Sequence, residues 1–224
     1  MVELITGLRA EMVRENLERV RTQIAEAGRD PESVQVLAAV KYVPVDELGV
    51  LAEAGVTLVG ENRAQDLVAK AEAYPGAFTW DFIGHLQSRK VKQVLSHVRY
   101  IETVASESAL EQLRRHGTPS TEVLIEVNVA GEEGKSGIAP DELPDYLKRC
   151  PVKVVGLMTM PPLAPDPEGS RGYFAALREL AAEHDLPHLS MGTSQDYIVA
   201  VQEGATIVRL GSTLYRPTGQ SGAS

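Results

Sequence analysis

The chain has 224 residues, 43% apolar and 24% charged, ordinary proportions for a globular protein that exclude wholesale disorder. Lys and Arg number 22 against 31 Asp and Glu, a formal charge of −9, which argues against a dedicated nucleic-acid binder. A lone cysteine, Cys150, precludes an intrachain disulfide, and no apolar run approaches the roughly 20 residues a membrane span needs, so a cytoplasmic protein without membrane contact is expected.

Apolar side chains at Leu8, Met12, Leu17, Val20 and Ile24 recur at helical spacing, predicting a helix over 8–27 that stops at Gly28. Asp30-Pro31 then turns the chain into a nearly continuous apolar run, 34–40, the pattern of a strand covered on both faces. The alternation repeats. Further strands are predicted at 57–59, 78–83, 100–104, 123–129, 153–157, 188–190 and 206–210. Helices are predicted between them at 45–54, 64–73, 87–95, 108–115, 141–148, 170–184 and 196–203. Ser108 with Glu111 makes a capping-box pattern that sets one helix start.

Eight strands, each followed by a helix except the last, predict parallel pairing and a closed (β/α)8 TIM barrel behind an extra N-terminal helix. The barrel is expected as one domain over 1–216, with 217–224 a flexible tail by composition. An open doubly wound sheet is the alternative, but no Gly-x-Gly-x-x-Gly follows the first strand.

In such a barrel the working groups gather at the C-terminal ends of strands. Standing there are Lys41, Glu61-Asn62, Gly84-His85, Asn128, Met158-Thr159-Met160, Gly192-Thr193-Ser194 and Arg209-Leu210-Gly211-Ser212. Lys41 follows an apolar strand, so its amine is expected to point at the barrel axis. Apolar walls would lower its pKa, as a Schiff-base amine requires. A lysine that reaches water or pairs with Glu61 is the open alternative. The segment 190–196 reads as strand, Gly/Ser turn and helix, a phosphate cradle to which Ser194 adds a hydroxyl, or else an ordinary N-cap. Arg209 to Ser212 forms a similar turn on the neighbouring strand. Two such turns facing a lysine describe a pocket for a phosphorylated aldehyde. His85 reads as a hydrogen-bond donor at the rim or as a strand-end cap. Arg89 and Lys90 read as contacts to a second anion or as solvated charges. The remaining histidines lack metal-site spacing, and Cys150 has no histidine nearby in sequence.

The motifs Gly60-Glu61-Asn62, Phe82-Ile83-Gly84-His85-Leu86-Gln87-Ser88-Arg89-Lys90, Gly156-Leu157-Met158, Leu189-Ser190-Met191-Gly192-Thr193-Ser194-Gln195-Asp196 and Val208-Arg209-Leu210-Gly211-Ser212, with Lys41 after its strand, resemble those of the pyridoxal phosphate homeostasis proteins. These are single-domain relatives of the N-terminal barrel of alanine racemase. The resemblance implies a barrel holding pyridoxal 5′-phosphate (PLP) as an internal aldimine on Lys41. It implies that Ser194, Gly211 and Ser212 hold the phosphate, that Arg209 faces the pyridine nitrogen, and that Asn62 and His85 lie near the ring. Against the commoner family pattern, Val40 replaces a serine, Tyr42-Val43 replace Thr-Lys, Thr193 replaces a methionine, and Leu214-Tyr215-Arg216 stand where an Ile-Phe-Gly type of ending is usual.

The function this implies is intracellular PLP homeostasis: holding, buffering and delivering the cofactor to PLP-dependent apoenzymes, without robust turnover. The related racemases need a tyrosine from a second domain, and a chain ending with its barrel is expected to leave one cofactor face open. The rival reading is a PLP-dependent racemase or decarboxylase with a base drawn from Tyr42, His85 or Tyr173. An aldolase-type barrel for phosphosugars is a third. A monomer or weak dimer is expected.

Overall fold

The protein is described over residues 4–217 by a computed structural model. Eight strands, β1 (Gln35–Ala39), β2 (Leu58–Glu61), β3 (Thr79–Phe82), β4 (Tyr100–Val104), β5 (Glu122–Glu126), β6 (Lys153–Met158), β7 (His188–Thr193) and β8 (Ile207–Leu210), pair in parallel and in chain order. The barrel closes where Leu37 of β1 sits beside Arg209 of β8. Each strand must be followed by a crossover, because parallel neighbours run in the same direction. The helices are α1 (Ala10–Glu26), α2 (Leu48–Glu53), α3 (Ala64–Ala73), α4 (Val91–Leu95), α5 (Glu107–His116), α6 (Leu143–Arg149), α7 (Arg171–Glu183), α8 (Tyr197–Gln202) and α9 (Ser212–Tyr215).

Alternation along the strands sorts side chains into two layers. Leu37, Leu58, Tyr100, Leu124, Val155, Met158 and Ile207 form a buried cluster on the barrel axis, with Ile83 against it. The opposite strand faces, among them Ala38, Val59, Phe82, Ile101, Val123, Leu157 and Val208, join the helices in a larger outer core. Each fully buried aliphatic side chain there contributes about 1.5–3 kcal/mol by removal from water. Helix α1 covers the closing seam: Val13, Val20 and Ile24 are buried, and the Asn16 side-chain amide donates to the Leu214 and Arg216 carbonyls at 3.0 and 2.9 Å.

Several sequence expectations need correction. A helix, α9, follows the last strand, where only tail was expected; its polar start hid a single turn with buried Leu214 and Tyr215. Helix α5 is capped by Ser106, whose hydroxyl accepts from the Ala109 N–H at 3.2 Å. The helix therefore starts before Ser108, and the expected capping box does not form. The strand expected over 123–129 ends at Glu126, because beyond it the chain pairs with another segment: the Asn128 N–H donates to Ile138 and the Ile138 N–H to Glu126. The helix expected over 87–95 opens with a 3-10 turn, Ser88–Lys90, before α4. The tail positions 218–224 lie outside the described residues. Among the described residues no helix is long and apolar enough to cross a membrane.

Candidate functional site

The C-terminal mouth of the barrel collects the residues singled out above. Strand β1 ends at Ala39, but the ladder runs one residue further through the Val40 N–H, which donates to Gly60 at 2.9 Å. Lys41 follows in a turn, in alternation with Leu37 and Ala39, which places it at the rim. Its side chain is exposed, with Nζ over the Tyr42 ring, 4.8 Å from the centroid. The expectation of an amine enclosed by apolar walls is thus corrected, because the strand stops short of it and the turn lifts it to solvent.

Glu61 does not pair with Lys41. It is fully buried and receives the ammonium of Lys70 from α3 at 2.5 Å, itself only 4% exposed. The same Nζ donates to the Val40 carbonyl at 2.7 Å, and Glu61 Oε1 accepts the backbone N–H groups of Asn62 and Arg63 at 2.7 and 3.1 Å. One buried ion pair therefore fixes both backbone stretches that carry Lys41 and Asn62. The sequence did not single out Lys70, because a lysine in a helix reads as a solvated charge.

Asn62 lies two residues past the Ala39–Gly60 register pair, level with Lys41. Its side-chain Oδ1 is buried and accepts from no donor among the described residues. Beside it, a Cβ on Gly84 would lie 1.9 Å from the Asn62 carbonyl oxygen, so only glycine lets the ends of β2 and β3 come this close. His85, the next residue, is exposed. Its neighbours Arg89 and Lys90 hydrogen-bond to Gln87 and Gln93 side chains.

Across the mouth, β7 and β8 bring their end turns together, with Thr193 in register with Arg209. Gly192 takes φ +90°, and a Cβ there would lie 2.6 Å from that of Ala200, so the turn needs glycine. Asp196 locks this turn by accepting from the Thr193 N–H at 2.8 Å and from the Ser170 hydroxyl at 2.9 Å. Ser194 Oγ accepts two backbone N–H groups from the next loop, Gly211 and Thr213, both at 3.2 Å. Three polar groups that suit one anion are thereby gathered. The nearest atoms to a Cβ on Gly211 would be those of Ala39, 4.0 Å away, so space remains above the cradle. Ser212 is exposed beside it.

Arg209 points inward from β8 and is 6% exposed. Its guanidinium donates to the Ser190 hydroxyl at 2.6 Å and to the Thr159 carbonyl at 2.9 Å, with Glu102 Oε2 3.9 Å away. Burial pulls its pKa down, while Glu102, Glu126 and Asp196 pull it back. Cys150 sits away from this mouth, at the end of α6, and burial raises its thiol pKa. Among the described residues no three His, Cys, Asp or Glu side chains gather as a metal site. Two surface clefts, of about 280 and 330 Å³, open away from the mouth; Arg99, at the N-terminal end of β4, lines both. The mouth is identified by its polar groups, not by cavity size.

The barrel has counterparts among known proteins. The alanine racemase N-terminal domain family matches residues 9–218. A pyridoxal phosphate homeostasis protein of Aquifex aeolicus is 41% identical, the match covering 89% of this chain and 93% of that protein. Another, from Pseudomonas aeruginosa, is 36% identical over 91% of this chain and 94% of its own length. The solved structure of PipY from Synechococcus elongatus with PLP bound superposes with a TM-score of 0.77 at 31% identity, covering 91% of this chain and all of that one. The chain therefore belongs to the pyridoxal phosphate homeostasis proteins, built on the alanine racemase N-terminal barrel.

Proposed function

We propose that this protein holds PLP at the C-terminal mouth of its barrel and serves PLP homeostasis as a carrier, without sustained turnover. The observation that carries this reading is that one barrel mouth presents both an exposed lysine just past the end of β1 and the Ser194, Gly211 and Thr213 cradle past the ends of β7 and β8. The donor set suits the ligand: backbone N–H groups and a hydroxyl for a phosphate ester, a primary amine for an aldehyde, and the orphaned Asn62 Oδ1 for a ring hydroxyl. Relatives named for PLP homeostasis, and one solved with PLP, support it.

When bound, PLP supplies an aldehyde that condenses with a primary amine and a ring whose electron-withdrawing power rises when its nitrogen is protonated. In this reading Lys41 provides the amine, and Ser194, Gly211 and Ser212 hold the phosphate. Arg209 faces the ring nitrogen, and Asn62 and His85 flank the ring. A guanidinium at that nitrogen opposes its protonation, which disfavours chemistry that needs a strong electron sink. The exposure of Lys41 acts in the same direction, since a mouth open to water permits release and fails to exclude solvent as catalysis requires. Cofactor released there passes to PLP-dependent apoenzymes in the cytoplasm.

The test is spectroscopic and chemical. Purified protein with added PLP is expected to be yellow, and borohydride is expected to fix a phosphopyridoxyl group on the peptide containing Lys41. Lys41→Ala is expected to lose both signals. Label on Lys92 or Lys135 would overturn the assignment, and sustained conversion of L-amino acids to D-isomers or amines would overturn the carrier reading.

A further inference from the structure

Beneath the mouth a line of charged side chains runs through the barrel core. It begins with Arg99, at the N-terminal end, which donates to both oxygens of fully buried Asp81 at 3.1 and 2.6 Å. Asp81 also accepts the Tyr100 N–H at 3.1 Å and lies within side-chain hydrogen-bond reach of Glu102. Glu102 is fully buried; its Oε2 accepts from the Ser190 hydroxyl at 2.6 Å, and that hydroxyl in turn accepts from Arg209 at 2.6 Å. The remaining oxygen, Glu102 Oε1, is buried and receives no donor among the described residues.

Two carboxylates buried side by side cannot both hold their charge without strong repulsion. They are unequally served. Asp81 has three N–H donors, whereas Glu102 has one hydroxyl and a guanidinium 3.9 Å away. A proton on Glu102 Oε1 removes the repulsion and supplies the missing hydrogen bond, with Asp81 as acceptor. We propose that Asp81 and Glu102 share one proton, carried on Glu102, and that Glu102 acts through Ser190 as a positioning residue, setting the charge Arg209 presents to the ligand at the mouth.

The groups facing Glu102 are Asp81 from β3, Arg99 just before β4, Ser190 from β7 and Arg209 from β8; Glu126 from β5 and Asp196 act on Arg209. Burial, and then the Asp81 charge, push the Glu102 carboxyl up to about 7. With the proton in place Arg209 has no ionised partner at Glu102 and its full charge favours an anionic ligand. When the proton leaves to solvent, the carboxylate neutralises Arg209 through the Ser190 bridge.

This rests on the PLP reading above, and two measurements keep the two separable. Infrared difference spectra of the ligand-free protein, taken from about pH 5 to about pH 9, are expected to lose a buried carboxylic-acid band that Glu102→Gln lacks throughout. PLP retention by wild type is expected to weaken about three- to tenfold across the same range, beyond the change seen in Glu102→Gln, whose neutral amide still donates to Asp81. Ser190→Ala is expected to keep the infrared band and lose this extra pH dependence of retention. Absence of the band from wild type, or its survival in Glu102→Gln, would overturn the shared proton. Equal pH dependence of retention in wild type and Glu102→Gln would overturn the coupling to Arg209. Wild type that binds no PLP at any pH would instead defeat the PLP reading and with it the role given to Glu102, while the infrared result would still decide where the proton sits.

Discussion

Replacement of Lys70 by methionine isolates the buried ion pair that secures the mouth. The stem of the lysine is matched by methionine, so apolar contacts are largely kept and the change removes the ammonium. Glu61 is then left fully buried with the Asn62 and Arg63 N–H groups as donors, and the Val40 carbonyl loses the bond it had at 2.7 Å. Breaking a buried pair on one side costs about 3–5 kcal/mol. Two retained N–H bonds put this case toward the low end, and the orphaned carbonyl adds about 1 kcal/mol, so about 3–4 kcal/mol is expected. With a urea slope of about 2–3 kcal/mol per M, the unfolding midpoint falls by about 1–2 M. Glu61→Gln in the Lys70→Met background should recover part of the loss, since the uncompensated charge is gone. A midpoint shift below about 0.3 M for Lys70→Met would refute the ion pair as a fixture of the mouth.

Three further outcomes are expected. Ser194→Ala weakens PLP retention by about 1.5 kcal/mol, the lower end for a hydrogen bond to a charged group, because the freed Gly211 and Thr213 N–H groups can turn to the phosphate; equilibrium dialysis at fixed pH measures it, and unchanged affinity would move the phosphate elsewhere. Gly84→Ala forces a methyl within 1.9 Å of the Asn62 carbonyl oxygen, so the backbone must shift, at a cost of about 1–3 kcal/mol or more; a thermal midpoint equal to wild type would contradict the close approach. The Glu102 carboxyl is raised from its ordinary 4.5 to about 7, so its contribution is fully present below about pH 4.5 and is lost as pH rises through about 7. The unfolding free energy of wild type, measured against Glu102→Gln, should therefore fall by on the order of 3 kcal/mol over that window. A constant difference between the two proteins across that range would show that the carboxyl titrates normally.

The barrel was legible because its grammar is local. The apolar run at 34–40 and its seven successors announce strands, and helical stripes between them leave parallel closure as the economical topology. The mouth was legible in outline for a related reason: parallel strands deliver all their C-terminal residues to one end, so Lys41, Asn62, His85, Ser194 and Arg209 were bound to be gathered there. Short elements were harder. The single turn of α9 carries too few residues to show a period, and Ser106 outcompetes Ser108 as a cap because the hydrogen bond to Ala109 is made from three residues upstream.

The order of elements, the single barrel and the polar character of its mouth follow from residue pattern, because backbone preference and apolar periodicity act over a few neighbours. Partner choice does not. Asp81 and Glu102 stand in mid-strand among apolar residues, an anomaly visible in the chain, yet nothing local says that they meet each other, that Arg99 serves one and Arg209 the other, or that Lys70 takes Glu61 and leaves Lys41 at the rim. Those pairings arise only when eight strands close with one stagger, which sets side chains 9 to 107 positions apart within 4 Å. Charge in a dry core is decided by such distances, and distance across a barrel is a property of closure.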